Sequence, residues 1–286
     1  GRGDLAPREI SNLQSAGGGA GGGYTVGGTM ASRVIDLARN KSCVIQAGAQ
    51  TIPLEGGDTT FVKVTGDPTA YWRGEGAAIT ESTATFGAFV MRPKTLACLV
   101  GLPVELAEDG RGVVELVENG IAQAMALEID RVALRGVGGG EPTGIKNTTG
   151  VTATSLGVGL EYDELLDALT PIEQANGQAT GWVLHPTQNA LVRKLKDGTG
   201  KYLSDHPSIA PLSRQVSNQQ TDGVITVGDF SQVLIGMRTN LTVEQFRAGT
   251  SGSHEAMRDL LVYIRCYARL DVLVARPTHF NILTLS

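Results

Sequence analysis

Between Leu261 and Val274 every even position is apolar: Val262, Ile264, Cys266, Ala268, Leu270, Val272 and Val274. The odd positions hold Tyr263, Arg265, Tyr267, Arg269 and Asp271, with Leu261 and Leu273 at the ends. Period-two alternation puts one face of a strand on a core and the other toward water. Fourteen residues of it predict a strand up to about 48 Å long, more than twice the usual length. A second segment matches this one in scale. Val114, Val117, Ile121, Met125, Ile129 and Val132 recur at steps of three or four, one apolar stripe on a helical period. A helix capped by Glu108 or Asp109 and stopped by Gly136 would be about 36 Å long. With one apolar face, it lies across a surface. A strand and a helix of this length predict an elongated α+β domain.

Other elements are shorter. Strand-like runs at Thr59–Thr65 and Ala84–Met91 flank a polar, glycine-bearing loop, Gly66 to Ser82, that is long for a hairpin. Trp72 in that loop wants a surface to bury against. Gly136 to Asn147 is a turn-dense connector. After it, Tyr162, Leu165, Leu166 and Leu169 mark a helix and Gly181–Leu184 a strand. Thr187 is read as the cap of a helix carrying Leu191 and Leu195, and strands are expected at Val224–Val227, Gln232–Met237 and Leu241–Phe246. Ahead of all these, Ala16 to Gly28 holds eight glycines in thirteen residues, an arm that cannot stay folded alone.

Composition narrows the class. The 38 glycines in 286 residues are close to twice the usual share of about 7%, but without a three-residue period they exclude collagen. At 41% apolar content general disorder is excluded, and a compact chain of this length would bury roughly 75% of its unfolded surface. A net charge of −5 argues against tight binding of nucleic acid. No run reaches the roughly 18 apolar residues of a membrane span. Cys43, Cys98 and Cys266 are an odd number without CxxC spacing, so three buried reduced thiols are expected, in a chain assembled inside a cell.

Tests for chemistry return structural readings. His185, His206, His254 and His279 lack metal-ligand spacing, and no G-x-S-x-G elbow occurs. Gly17, Gly19 and Gly22 match G-x-G-x-x-G without a preceding strand, and Gly198–Lys201 fails the Walker pattern at two positions. Glu161, Asp163, Glu164 and Asp167 sit where a helix dipole favours them. Arg265, Arg269 and Asp271 read as cross-strand ion-pair partners. Arg2-Gly3-Asp4 at a free end is a poor adhesion signal. Catalytic, cofactor and metal residues are therefore expected to be none.

The order of elements carries a resemblance. The glycine arm, the long hairpin loop, the one-faced helix and RGVGGGEPTGI from Arg135 to Ile145 resemble the major capsid proteins of tailed phages with the Hong Kong 97-type fold. The similarity continues through Trp182–Pro186, Leu195-Lys196-Asp197 with Gly200 and Tyr202, Gly228-Asp229-Phe230, and RLDVLVARPTHF from Arg269 to Phe280. It implies an N-terminal arm (1–45), an extended hairpin region (46–98), a peripheral domain with a spine helix (99–154 and 246–286), and an α/β axial domain (155–245).

Such a subunit would be structural. The resemblance implies pentamers and hexamers closing into an icosahedral head around double-stranded DNA, contacted weakly, with no small-molecule substrate and no membrane. A decoration protein, portal, scaffold and maturation protease are further implied partners, and the location would be the virion after assembly in the host cytoplasm. A start without Met fits either proteolytic maturation or truncation. Trp72, Arg73, Glu75, Glu81 and Arg92 are the expected inter-subunit contacts. The family's best-known member crosslinks a hairpin-loop Lys to a neighbour's Asn. Here Gly74 to Ser82 has no Lys and His254 to Asp259 no Asn, so no such crosslink is expected. An encapsulin-type bacterial compartment, which shares the fold, and an enzyme with an unrecognised site are the alternatives.

Overall fold

The computed structural model describes residues 23–25, 42–66, 70, 72–73, 75, 81–83, 85–109, 113–157, 160–196, 198–204, 206–251 and 254–285. The rest of the expected arm and residues 67–69, 71, 74 and 76–80 of the loop lie outside them. The first elements are β1 (Gly23–Thr25), α1 (Cys43–Ala47), β2 (Gln50–Pro53), β3 (Thr59–Gly66), β4 (Thr85–Met91) and β5 (Lys94–Pro103). Then come α2 (Val104–Asp109), α3 (Val113–Arg135), β6 (Thr152–Leu156), α4 (Tyr162–Asp167), α5 (Thr170–Gln174), β7 (Gly181–Leu184), α6 (Pro186–Arg193) and β8 (Ser213–Val216). The chain closes with β9 (Val224–Gly228), β10 (Val233–Phe246), β11 (Thr250–Ser251), β12 (His254–Glu255), β13 (Leu261–Val274) and β14 (Phe280–Leu285).

The alternating segment forms β13 over its whole length, with every even residue buried. It pairs antiparallel with β10 on one side and β5 on the other. Beyond β10, β1 pairs antiparallel with one end and β2 parallel with the other. The sequence read β10 as two strands because its register shifts between Met237 and Thr239 and again before Thr242. No strand is expected from the sequence at β5. Its burial alternates with a period of two, and its even face joins β13 beneath α3.

α3 crosses this sheet as the stripe demands. Ile121, Met125 and Val132 are buried, with Val117 and Ile129 packed alongside. Its start departs from the expectation. Glu108 and Asp109 fall inside the short helix α2, and α3 is described from Val113.

The second sheet has the order β6-β14-β9-β7-β8. β7 and β9 are buried at every position, as strands covered on both faces must be. α4, α5 and α6 supply Leu165, Ile172 and Val192 to its core. The single helix expected around Tyr162–Leu169 is the pair α4 and α5, restarted where Pro171 favours a first turn. Thr187 does not cap α6. His185 does, accepting from Thr187 N at 3.4 Å, because Pro186 at the first turn starts the helix earlier, and Leu195 falls beyond its end.

The strands cut across the expected domain boundaries. β10 begins at Val233 and belongs to the first sheet, while β14 returns at Phe280 to complete the second. β2, expected in the hairpin region, and β5, which straddles its expected end at 98, also belong to the first sheet. A shared core joins the two, with Val183 and Phe280 packed beside Val233, Ile235 and Val272. Phe230 and Phe280 meet edge to face, with centroids 5.6 Å apart, at the joint.

Candidate inter-subunit surface

β3 and β4 form a two-stranded ribbon that pairs with no other described strand. Register places Phe61 opposite Phe89 and Val62 opposite Ala88. Thr60, Val62, Phe86, Ala88 and Val90 therefore share one face. On it Val62 is 78% exposed and Phe86 69%, and Val90 is also open. On the other face Phe61 and Phe89 are only half-buried. Apolar residues on both faces of an isolated ribbon lack the layer they need. Only its root is fixed. Met91 is fully buried, with its Cε beside Gly236 and Leu54, and a Cβ on Gly236 would stand 2.7 Å from that carbon.

The five residues singled out from the sequence fall in and beside this ribbon. Trp72, Arg73, Glu75 and Glu81 are exposed in the loop, Trp72 completely. Arg92 has a partner in its own chain. Its Nε lies 3.3 Å from Asp58 Oδ2, both side chains exposed, and its backbone N donates to Asp271 at 2.6 Å. The structure thus ties Arg92 to the hairpin root and leaves the other four open. Sequence reading passed over Val62, Phe86 and Val90. The available signal was that TTFVKVT and TFGAFVM place apolar side chains on both faces. α3 adds Leu116 and Leu127, exposed on the side away from its stripe.

The connector behaves differently. Gly138 and Gly139 adopt φ of +84° and +77°. A Cβ on Gly136 would lie 2.3 Å from Pro142 O, and one on Gly144 2.4 Å from Val132 O, so both positions demand glycine. Asn147 Nδ2 donates to the carbonyls of Arg135 and Gly136, at 3.1 and 2.9 Å, satisfying the end of α3. Arg131 reaches from α3 to both Glu128 and Glu141. Its guanidinium holds the Glu141 carboxyl below the usual range, helped by a hydrogen bond from Val137 N. Every one of these contacts is within the chain.

The other sequence candidates are structural. His185 caps α6, and His206 Nδ1 accepts from Ser208 N at 3.2 Å. His279 is buried, 3.9 Å from Asp229. Glu164 accepts from the backbone N of Glu161 at the start of α4. Gly198–Lys201 forms a turn, with Lys196 Nζ 4.8 Å above the Tyr202 ring. Arg265 pairs across the strands with Glu244, as expected, but Arg269 reaches toward Pro93 O and Asp271 accepts from backbone. Asp130 was missed. Buried in α3, it accepts from Ser42 Oγ at 2.6 Å, Cys43 N at 2.9 Å and Val44 N at 3.1 Å, fastening α1 to the core. Among the described residues no group of His, Cys, Asp and Glu could hold a metal ion, and no helix is long and apolar enough to cross a membrane.

Among the described residues the chain thus has a closed core from which an exposed apolar ribbon projects. The sequence profile of the phage capsid family matches residues 22–285, and the chain belongs to that family. It is 26% identical over 255 residues to the major capsid protein of Halomonas phage phiHAP-1, covering 86% of this chain and 41% of that protein. Against the major capsid protein of Enterobacteria phage HK97 it is 26% identical over 208 residues, 69% of this chain and 53% of the other. The chain thus spans about half the length of these relatives. A solved structure from Mycobacterium phage Adephagia superposes with a TM-score of 0.72 at 17% identity, covering 99% of both chains. The fold is the expected Hong Kong 97-like α+β fold, and the family and these relatives are structural capsid proteins.

The quoted motif residues are joints of that fold. Gly228 packs so tightly that a Cβ would lie 2.4 Å from the Phe280 ring, and beside Trp182 a Cβ on Gly181 would lie 2.8 Å from Ser213 O. Asp229 Oδ1 accepts from Ser231 N at 3.1 Å to fix the turn between β9 and β10.

Proposed function

We propose that the chain is the major capsid subunit of a tailed-phage head, assembling into pentamers and hexamers that close around double-stranded DNA. The observation that carries this reading is the ribbon β3–β4. Its exposed Val62, Phe86 and Val90 need a covering surface, and no other described strand pairs with the ribbon. Symmetric repetition supplies one from an adjacent copy. Trp72, Arg73, Glu75 and Glu81 would meet that neighbour at the loop, and Arg92 would brace the hairpin root from which the loop projects. The net charge of −5 suits a container that must release its DNA, since strong phosphate binding would oppose ejection. Domain roles follow the same reading, with the β10–β13–β5 sheet and α3 peripheral and the β6-β14-β9-β7-β8 sheet axial. A decoration protein, portal, scaffold and maturation protease, and assembly in the host cytoplasm, belong to the same proposal.

Subunits are held without a Lys–Asn crosslink in this reading, since Gly74 to Ser82 lacks Lys and His254 to Asp259 lacks Asn. Sedimentation and negative-stain microscopy of the purified chain test the assembly. Closed particles are expected, and a stable 30 kDa monomer under all conditions would contradict it. Denaturing electrophoresis of particles should give one monomer band, whereas a ladder of covalent oligomers would overturn the crosslink statement.

A further inference from the structure

Two of the three cysteines are register partners. Cys98 on β5 stands directly opposite Cys266 on β13. Ile264↔Val100 and Ala268↔Leu96 flank them on the same face, which packs beneath α3. Directly opposed residues of an antiparallel pair have Cα atoms about 4.5 or 5.5 Å apart, depending on the hydrogen-bonding site. Both values fall inside the roughly 4.4–6.8 Å that a disulfide spans, so the backbone separation admits a bond. The two thiols differ in access. β5 is the edge of its sheet and Cys98 is half-buried, whereas Cys266 is sealed. Burial, and then the charge of Cys98, push the Cys266 thiol up to about 12, which places the two sulfurs within each other's field. The third cysteine sits elsewhere, buried at the start of α1 beside Asp130.

We propose that Cys98 and Cys266 are a reversible redox pair, a dithiol in a reducing compartment and a cross-strand disulfide once the chain meets an oxidising small-molecule disulfide. The Cys98 thiolate attacks one sulfur of that disulfide, whose S–S bond breaks and releases one small thiolate. Cys266 then attacks the Cys98 sulfur of the mixed disulfide, giving up its thiol proton as the Sγ–Sγ bond forms and the second small thiolate is expelled. The two expelled thiolates take up the protons that the two cysteines lose. Two protein thiols are oxidised and one small disulfide is reduced to two thiols. The bond would fasten the edge strand β5 to β13 across more than 160 residues of sequence, a loop long enough for the link to restrict the unfolded chain strongly. A protein that forms among reduced thiols and is later released outside a cell would gain the staple on release. The pairing is a property of the single chain and stands or falls apart from shell assembly.

The test treats the full native chain with glutathione disulfide, alkylates free thiols under denaturing conditions, and maps tryptic peptides without reduction. The expected product links peptide 95–111 to peptide 266–269, with Cys43 recovered alkylated. Recovery of Cys98 as a stable glutathione adduct, as a free thiol, or linked to a second chain would overturn the proposal. Cys266→Ser should trap glutathione on Cys98. Should that variant not fold, Cys98→Ser serves in its place: Cys266 should then stay unmodified, and its rapid modification would refute Cys98 as the point of entry. The oxidised wild-type chain should melt several degrees above its reduced form, with no such difference in Cys98→Ser. Equal midpoints for the oxidised and reduced wild-type chain would refute the staple.

Discussion

The hairpin and the connector after α3 are both rich in glycine and polar residues, yet they are held in opposite ways. From Gly136 to Asn147 the chain closes on itself, through Asn147 on the helix end, Glu141 on Arg131, and two glycines jammed against carbonyls. Thr59–Gly66 and Thr85–Met91 form a ribbon anchored at Met91, with Val62 and Phe86 exposed. Glycine in the connector answers a steric demand, so that segment is a clamp. In the proposed assembly the hairpin is left for a neighbour. Similar composition therefore carries two meanings, and close backbone contact decides between them.

Substitutions should separate the two regions. The largest effect is expected at Gly144→Ala, where the new Cβ meets Val132 O. It should cost about 3 kcal/mol or more in denaturant unfolding. A cost below about 1 kcal/mol would remove the clamp. Asp130→Ala strips three hydrogen bonds from the buried entry of α1 and should cost about 3 kcal/mol by the same measurement. Glu141→Gln should cost about 1 kcal/mol at neutral pH. Because Arg131 depresses the folded-state value of Glu141, this stability is present above the ordinary glutamate value of about 4.3 and is lost as pH falls through the depressed one. Unfolding curves of variant and wild type should converge there. The smallest effect on the subunit belongs to Val62→Ser with Phe86→Ser, within about 0.5 kcal/mol, since both side chains are exposed. That pair should nevertheless abolish particles in sedimentation, and wild-type particle yield would break the comparison.

Legibility in the sequence followed the length of the pattern. β13 and the stripe of α3 were readable because many residues repeat one period, and a packed face enforces it. β6, β8 and β14 are four to six residues long, and they take strand form from the neighbours they pair with. β10 read as two pieces because a bulge resets its alternation midway. At the surface, Trp72 stood out as an aromatic in a polar loop, whereas Val62 and Phe86 looked like ordinary strand residues. Their exposure shows only in the fold, where the ribbon pairs with no other described strand. Asp130 was silent for the converse reason. Its meaning lies in Ser42, Cys43 and Val44, nearly ninety residues earlier.

Hydrogen exchange of free subunits and assembled particles tests the contrast most directly. Amides of Thr59–Gly66 and Thr85–Met91 should exchange fast in the free subunit and slowly in the particle, while those of the connector stay slow in both. Equal protection of the hairpin in free and assembled chains would contradict its role as the element a neighbour completes.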